Sequence, residues 1–325
     1  MMTLIILLII LTLFFWIFSP GHSFLSLRNI TSILNSMTIS ALFVVAEAFL
    51  VILGELDLSP GYIGTACGAL MASLLANTSI PWFLVIIIGL LFGAVFGLLN
   101  AILVNEFGFQ SFIATLAIGS FVARGLGYVV CDGKAIEIKD PVITWIGTGK
   151  IAGIIPGALF IPAVVLVVYG IILAKTKFGR SVYTCGTNRE AARLAGLKPK
   201  KVSYILFINS GVLGALAGML YAARLCSGNL DGTNTYAFPA LTAVILGGVA
   251  FGGGSGSIAG AFLGLLIISA FNNGLLIMGL SPYWINVSSG LLLLFALTLD
   301  FFANNRKKGR SGLLRRAKSR REESI

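Results

Sequence analysis

Apolar stretches of about twenty residues recur along the whole chain, from 2–18 at its start to 283–301 near its end. A helix of that length, rising 1.5 Å per residue, spans the roughly 30 Å hydrocarbon core of a bilayer. In lipid the backbone must satisfy its own hydrogen bonds, so each run is expected to be helical. Composition agrees. Charged residues are only 11% of the 325 and hydrophobic residues 57%, with a mean hydropathy of +0.98. A soluble domain carries roughly 25% charged residues. The fold class predicted is therefore an all-α polytopic membrane protein.

Ten spans fit, at about 2–18, 29–53, 60–76, 80–104, 112–130, 157–174, 203–225, 239–250, 258–278 and 283–301. The first lacks the basic n-region and small-residue cleavage site of a signal peptide, and reads as a span. Two are too short for a straight crossing, 60–76 and 239–250. They adjoin Gly54–Gly61 and Gly247–Gly256, both rich in helix breakers. Irregular backbone at membrane depth is tolerated where it packs in protein or lines a cavity, so these breaks read either as tight turns or as parts of a translocation path. Glycines at three- and four-residue spacing (Gly89, Gly93, Gly97; Gly211, Gly214, Gly218; Gly260, Gly264) allow close helix approach, as static packing or as a moving interface.

Charge sets the orientation. The net charge of +11 is concentrated: of 23 Lys and Arg, eight lie in 175–201 and nine in 306–321. Basic clusters beside spans mark the cytoplasmic side rather than nucleic-acid binding. With ten spans both termini and the 175–202 loop are cytoplasmic, and 131–156 is external. The chain divides into a transmembrane domain, 1–305, and a basic tail, 306–325, expected to be disordered.

Energy-coupling chemistry is missing from the sequence. There is no GxxxxGK[ST] phosphate loop, no HExxH and no GxSxG, and His22 is the only histidine. The cysteines (Cys67, Cys131, Cys185, Cys226) form no CxxC pair, so no metal site is expected. They read as small apolar fillers, with a Cys131–Cys226 disulfide as the alternative. Glu47, Arg124, Glu55, Asp57 and Asp300 are the titratable groups in or beside spans, and they form no clear proton relay. Such a chain moves a solute without powering the step itself and without a cofactor of its own.

The cytoplasmic loop names the source of power. In Thr187-Asn188-Arg189-Glu190-Ala191-Ala192-Arg193-Leu194-Ala195-Gly196-Leu197-Lys198-Pro199, Asn188 or Thr187 suits an N-cap and Glu190 the first turn. Gly196 suits a left-handed C-cap, and Pro199 prevents continuation. Ala191, Ala192, Leu194 and Ala195 offer a small apolar surface fit for a groove on another protein, or less well for lipid headgroups.

Glu190-Ala191-Ala192, three residues and then Gly196 resembles the EAA loop of bacterial ABC-importer permeases. Phe178–Asn188, Gly54-Glu55-Leu56-Asp57-Leu58-Ser59-Pro60-Gly61, Ala243–Gly248, Phe251–Ser257 and Phe271-Asn272-Asn273-Gly274 resemble, in order, the ribose-type sugar permease branch. The likeness covers about 28–301, and Glu55 departs from the branch's pattern. It implies a bacterial inner-membrane permease subunit, paired with a second copy or a close paralogue. It further implies an ATP-binding cassette subunit that binds the ATP and a periplasmic or lipid-anchored binding protein that delivers the solute. Glu190, Ala191, Ala192 and Gly196 would then form the coupling helix. Asp57, Ser59, Asn209, Asn272 and Asn273 are candidate path residues because amide and hydroxyl groups suit a sugar. Alternatives are another solute of the same superfamily (inositol, a nucleoside, a furanosyl signal molecule, a branched-chain amino acid) or a stand-alone secondary transporter.

Overall fold

The computed structural model describes residues 1–281 apart from 152 and 154, together with 283, 284, 287, 288, 290–292, 294 and 298. The span expected over 283–301 lies largely outside the described residues, and Asp300 and the tail 306–325 lie wholly outside them.

Between residues 2 and 277 the chain forms twelve α-helical stretches, with short 3-10 turns between some of them. They are α1 (Met2–Phe18), α2 (Leu27–Leu53), α3 (Pro60–Asn77), α4 (Trp82–Asn105), and α5 (Ser111–Ala117) continuing through a π-helical turn (Ile118–Ala123) into α6 (Arg124–Cys131). After them come α7 (Pro141–Thr148), α8 (Phe160–Lys175), α9 (Lys177–Thr187), α10 (Arg189–Leu194), α11 (Pro199–Leu225), α12 (Ala237–Leu246) and α13 (Ile258–Ile277). Among the described residues six helices are long and apolar enough to cross a membrane: Leu27–Leu53, Trp82–Asn105, Ser111–Cys131, Gly157–Lys175, Pro199–Leu225 and Ile258–Ile277. The protein is thus a multi-pass helical membrane protein. Only two-residue ladders of strand occur among the described residues, Ile136–Glu137 with Ser227–Gly228 and Lys150–Ile151 with Ile155–Pro156.

The core forms around α2. Between Met37 and Leu53 every side chain except that of Ser40 is buried. α11 packs on α2, α3 and α4, while α13 packs on α2 and α12. α4 and α8 turn Leu84, Ile87, Leu91 and Val95, and Val164, Val167 and Ile171, outward, as lipid-facing helices do. The glycine ladders are buried contacts. Gly211 of α11 faces Gly93 of α4, Gly218 faces Gly64 of α3, and Gly264 of α13 faces the Ala243 carbonyl of α12.

Both expected breaks exist, and each has a local cause. α2 ends on Gly54 in the left-handed conformation (φ 83°), a standard C-cap. The chain then runs extended to Ser59, and α3 restarts at Pro60. An extended segment in a membrane needs partners for its amides, and α5 supplies them. Leu56 N–H donates to Ser111 Oγ (3.2 Å) and Leu58 N–H to Thr115 Oγ1 (3.1 Å). The match is geometric: two extended residues advance about 6.6 Å and four helical residues about 6 Å.

The second break begins earlier than 247. Cys226–Tyr236 descends beside α3, where Thr233 N–H donates to Thr65 Oγ1 (2.9 Å) and Thr233 Oγ1 to the Gly61 carbonyl (2.8 Å). Only then does α12 start, which is why the apolar run there is too short to cross alone. After α12 the glycine-rich turn reaches back to α2, and Gly254 N–H donates to the Ile52 carbonyl (2.8 Å).

Helix α9 was not expected from the sequence. Thr176 caps it, accepting from Gly179 N–H (3.1 Å), and it buries Gly179, Val182 and Cys185. All four cysteines are free; Cys67, Cys131 and Cys185 are buried, as apolar fillers would be.

Candidate functional site

The basic loop contains a short helix, α10, capped at both ends. Asn188 caps α10 by accepting from Ala191 N–H (2.9 Å). At the other end Gly196 takes φ 82°, Leu197 N–H bonds the Ala192 carbonyl (3.0 Å) and Gly196 N–H bonds the Arg193 carbonyl (3.0 Å). Both caps are those the residues suggested. The apolar surface, however, divides. Ala192 is fully buried against the rest of the chain, whereas Ala191, Leu194 and Ala195 are exposed, Leu194 to 81%. Glu190 is exposed and pairs with Arg193 one turn on (3.0 Å).

Arg189, the first residue of α10, forms an ion pair with Glu55, the first residue of the extended segment after α2. Just before it, Gly186 lies against the Ile52 carbonyl and the Gly254 amide, and Thr187 lies against Gly254. The basic loop and both breaks therefore meet at one point. Nearby, Lys200 and Tyr204 of α11 bond the Glu106 carboxylate (2.9 and 3.1 Å), tying α11 to the end of α4. These two hydrogen bonds hold the exposed Glu106 below the usual carboxylate range.

Behind that junction lies a wholly buried polar cluster. Asp57 Oδ1 accepts from the Ser59 amide (2.9 Å) and hydroxyl (2.5 Å), and Ser59 Oγ accepts from Asn100 Nδ2 of α4 (2.7 Å). Glu47 of α2 and Ser210 of α11 face Asp57 without forming well-aligned bonds. Asp57, Ser59, Asn100 and Ser210 are 0% exposed and Glu47 1%. Both Glu47 oxygens, Asp57 Oδ2, Asn100 Oδ1 and Ser210 Oγ find no partner among the described residues. Such atoms favour any rearrangement of 54–59 that pairs them. Thr115→Val removes the Leu58 amide's partner and is expected to lower stability by about 1–3 kcal/mol. A thermal melt of the detergent-solubilised protein checks this.

The five candidate path residues do not converge. Asp57 and Ser59 sit in the buried cluster. Asn209 accepts a hydrogen bond from Tyr169 Oη. Asn272 and Asn273 line a separate cavity of about 260 Å³ with Ser32, Ser36, Ser40 and Thr235. The three serines escaped the sequence reading, although their four-residue spacing on one face of an apolar helix is a legible signal. Arg124 does not join either group; it faces Asp231 of the descending segment at 3.5 Å.

Comparison with known proteins gives a consistent result. Residues 29–297 match the family described as branched-chain amino acid transport system / permease component. The ribose import permease RbsC of Haemophilus influenzae is 33% identical over 288 residues, 87% of this chain and 88% of the relative. Ribose import permease RbsC of Bacillus subtilis is 36% identical over 281 residues, 86% of each chain. The L-arabinose transport system permease AraH of Escherichia coli K12 is 30% identical over 292 residues, 90% of this chain and 88% of the relative. No solved structure matches.

Proposed function

This chain belongs to the branched-chain amino acid transport system / permease component family, in its ribose-type sugar branch, and on that premise we propose that it is the membrane-path subunit of an ATP-driven monosaccharide importer in a bacterial inner membrane. ATP is bound and hydrolysed by a separate cassette subunit that docks on α10, and a binding protein delivers the solute on the opposite side. A second permease subunit completes the path.

The observation that carries this reading is α10 itself. A helix of one and a half turns, capped at both ends and anchored through Ala192 and Arg189, cannot slide independently of the bundle. Its outward Ala191, Leu194 and Ala195 are small enough to enter a groove, and Gly196 fixes the exit of the chain. Movement imposed on such a helix passes to the two breaks as a rigid-body shift.

Leu194→Asp is expected to leave the permease in the membrane while weakening its association with the cassette subunit by at least about 2 kcal/mol, the scale of an interface hot spot. Glu190→Lys and Gly196→Val should also stop ATP-dependent uptake, the latter because a β-branched residue is strained at φ 82°. Copurification and uptake assays read both effects. Wild-type copurification by all three variants sinks the assignment of α10. Uphill uptake by the isolated chain in liposomes, driven by a proton gradient alone, sinks the importer reading as a whole.

A further inference from the structure

We infer that the groove between α8 and the start of α13 is a binding site for an anionic phospholipid, with one acyl chain lying in the groove and the phosphate resting on Lys175, Lys177 and Arg180. The inference stands apart from the transport reading and uses only the orientation that the basic clusters set.

Shape comes first. The groove has a volume of about 460 Å³ and opens on the outward face of α8. Ala163, Gly170 and Ala174 of α8 and Ala259 of α13 supply its hollow, and Leu166 and Phe262 line its two sides. The three α8 positions are seven and four residues apart, so they share one face of the helix. A Cβ at Gly170 would meet nothing nearer than Ile258, at 3.9 Å, so α8 and α13 stand apart here, unlike the glycine contacts of the core. From Ala163 to Lys175 the groove runs about 18 Å along the helix. The hydrocarbon of one leaflet is about 15 Å deep, half that of the bilayer. A single acyl chain standing in its own leaflet matches that length.

Charge comes second. Every described lining residue is apolar except Lys175, the last residue of α8, which closes the end nearest the basic loop. α9 begins two residues on, with Lys177 and Arg180 three apart on its exposed face. None of these three side chains has an ion-pair or hydrogen-bond partner among the described residues. Between Pro141 and Arg189 the sequence holds no Asp or Glu to neutralise them. The start of α9 adds the partial positive charge of a helix N-terminus. A shaft of hydrocarbon ending in three unpaired cations is complementary to a molecule with a long apolar chain and an anionic head. A neutral headgroup would leave the cations unpaired. A second copy seated groove against groove would place like charges at the same depth, because both copies share one orientation in the membrane.

The test uses the full chain in detergent, titrated with palmitoyl-oleoyl phosphatidylglycerol or phosphatidylcholine and read by native mass spectrometry and a thermal melt. The wild type is expected to retain phosphatidylglycerol at least about tenfold more tightly than phosphatidylcholine, and to melt higher with it. The triple variant Lys175→Gln, Lys177→Gln, Arg180→Gln should lose that preference, and its exposed positions leave the fold alone. Gly170→Leu should fill the groove and weaken retention at least about tenfold. Ala163→Phe fills it from an exposed position at the far end, and reads the same point if Gly170→Leu does not fold. Glycerophosphate, the head without a chain, should not displace the lipid. Equal retention of the two lipids, or unchanged phosphatidylglycerol binding in the triple variant, overturns the headgroup site. Unchanged binding in the folded groove variants overturns the groove. Displacement by glycerophosphate overturns the lipid in favour of a soluble anion. Val167 is 61% exposed. A Val167→Cys chain that oxidises to a disulfide-linked pair in vesicles, where the wild type does not, places a second copy in the groove and overturns the proposal.

Discussion

Glu55→Lys is expected to abolish uptake while the protein still reaches the membrane, and Arg189→Glu in the same chain to restore much of it. The Glu55 side chain is only 10% exposed and Arg189 is its ion-pair partner, at the point where the basic loop joins the first break. A lysine there places two cations face to face. Breaking a buried pair costs roughly 3–5 kcal/mol. Arg189 is nearly half exposed, so solvent screening brings the figure down to about 2 kcal/mol. That penalty is enough to pull the start of α10 away from the segment 54–59. Uptake should fall at least about tenfold, since 1.4 kcal/mol is already a factor of ten. If the pair transmits motion, the single variant in the assembled complex keeps ATP hydrolysis but loses its coupling to solute, and the reversed pair regains it. Equal loss in the single and double variants, with normal membrane abundance, overturns the role of the pair.

Much of this architecture was legible in the sequence, and what was not has a physical explanation. The apolar runs located the six long apolar helices, because a bilayer demands unbroken helices. Gly54, Pro60 and Gly247–Gly256 located the breaks because helix breakers have few other uses there. The caps of α10 were legible because capping is local: Asn188 and Gly196 act on atoms within five residues. α9 was missed because its amphipathic pattern, with Gly179, Val182 and Cys185 turned inward, lies inside a segment read for its charge. The Glu55–Arg189 pair was beyond reach, since its members are 134 residues apart and no local rule joins them. The same holds for the descent of Cys226–Tyr236 along α3, whose polar partners Thr65 and Gly61 look like ordinary span residues. Ser59 and Asp57 drew attention as path candidates because they are polar at a break. In the structure they are buried with Asn100, whose amide reaches Ser59 from α4, a contact no local rule foretells.

Gly218→Leu is expected to lose the folded protein outright, and the reason lies in backbone rather than side chains. A Cβ at Gly218 runs into the carbonyl and Cα of Gly64, and one at Gly64 would sit 2.6 Å from the Gly214 carbonyl and 3.2 Å from the Gly218 Cα. A flexible side chain can turn aside from a new neighbour; two helix backbones in mutual contact cannot. α11 and α3 must separate, and α11 also packs on α2 and α4, so the shift spreads to most of the core. It reaches the first break as well, because Gly214 packs on Pro60 at the start of α3. Overpacking typically costs 1–3 kcal/mol where side chains can give way, and roughly 3 kcal/mol or more is expected here, a large share of a total stability of about 5–15 kcal/mol. Gly125→Ala provides the contrast. It lies in α6 with open space where its Cβ would go, so gaining a better helix former should stabilise by about 0.5–1 kcal/mol. Membrane abundance and a thermal melt in detergent read both. A Gly218→Leu protein that accumulates and melts like the wild type would show that α3 and α11 do not pack through these glycines.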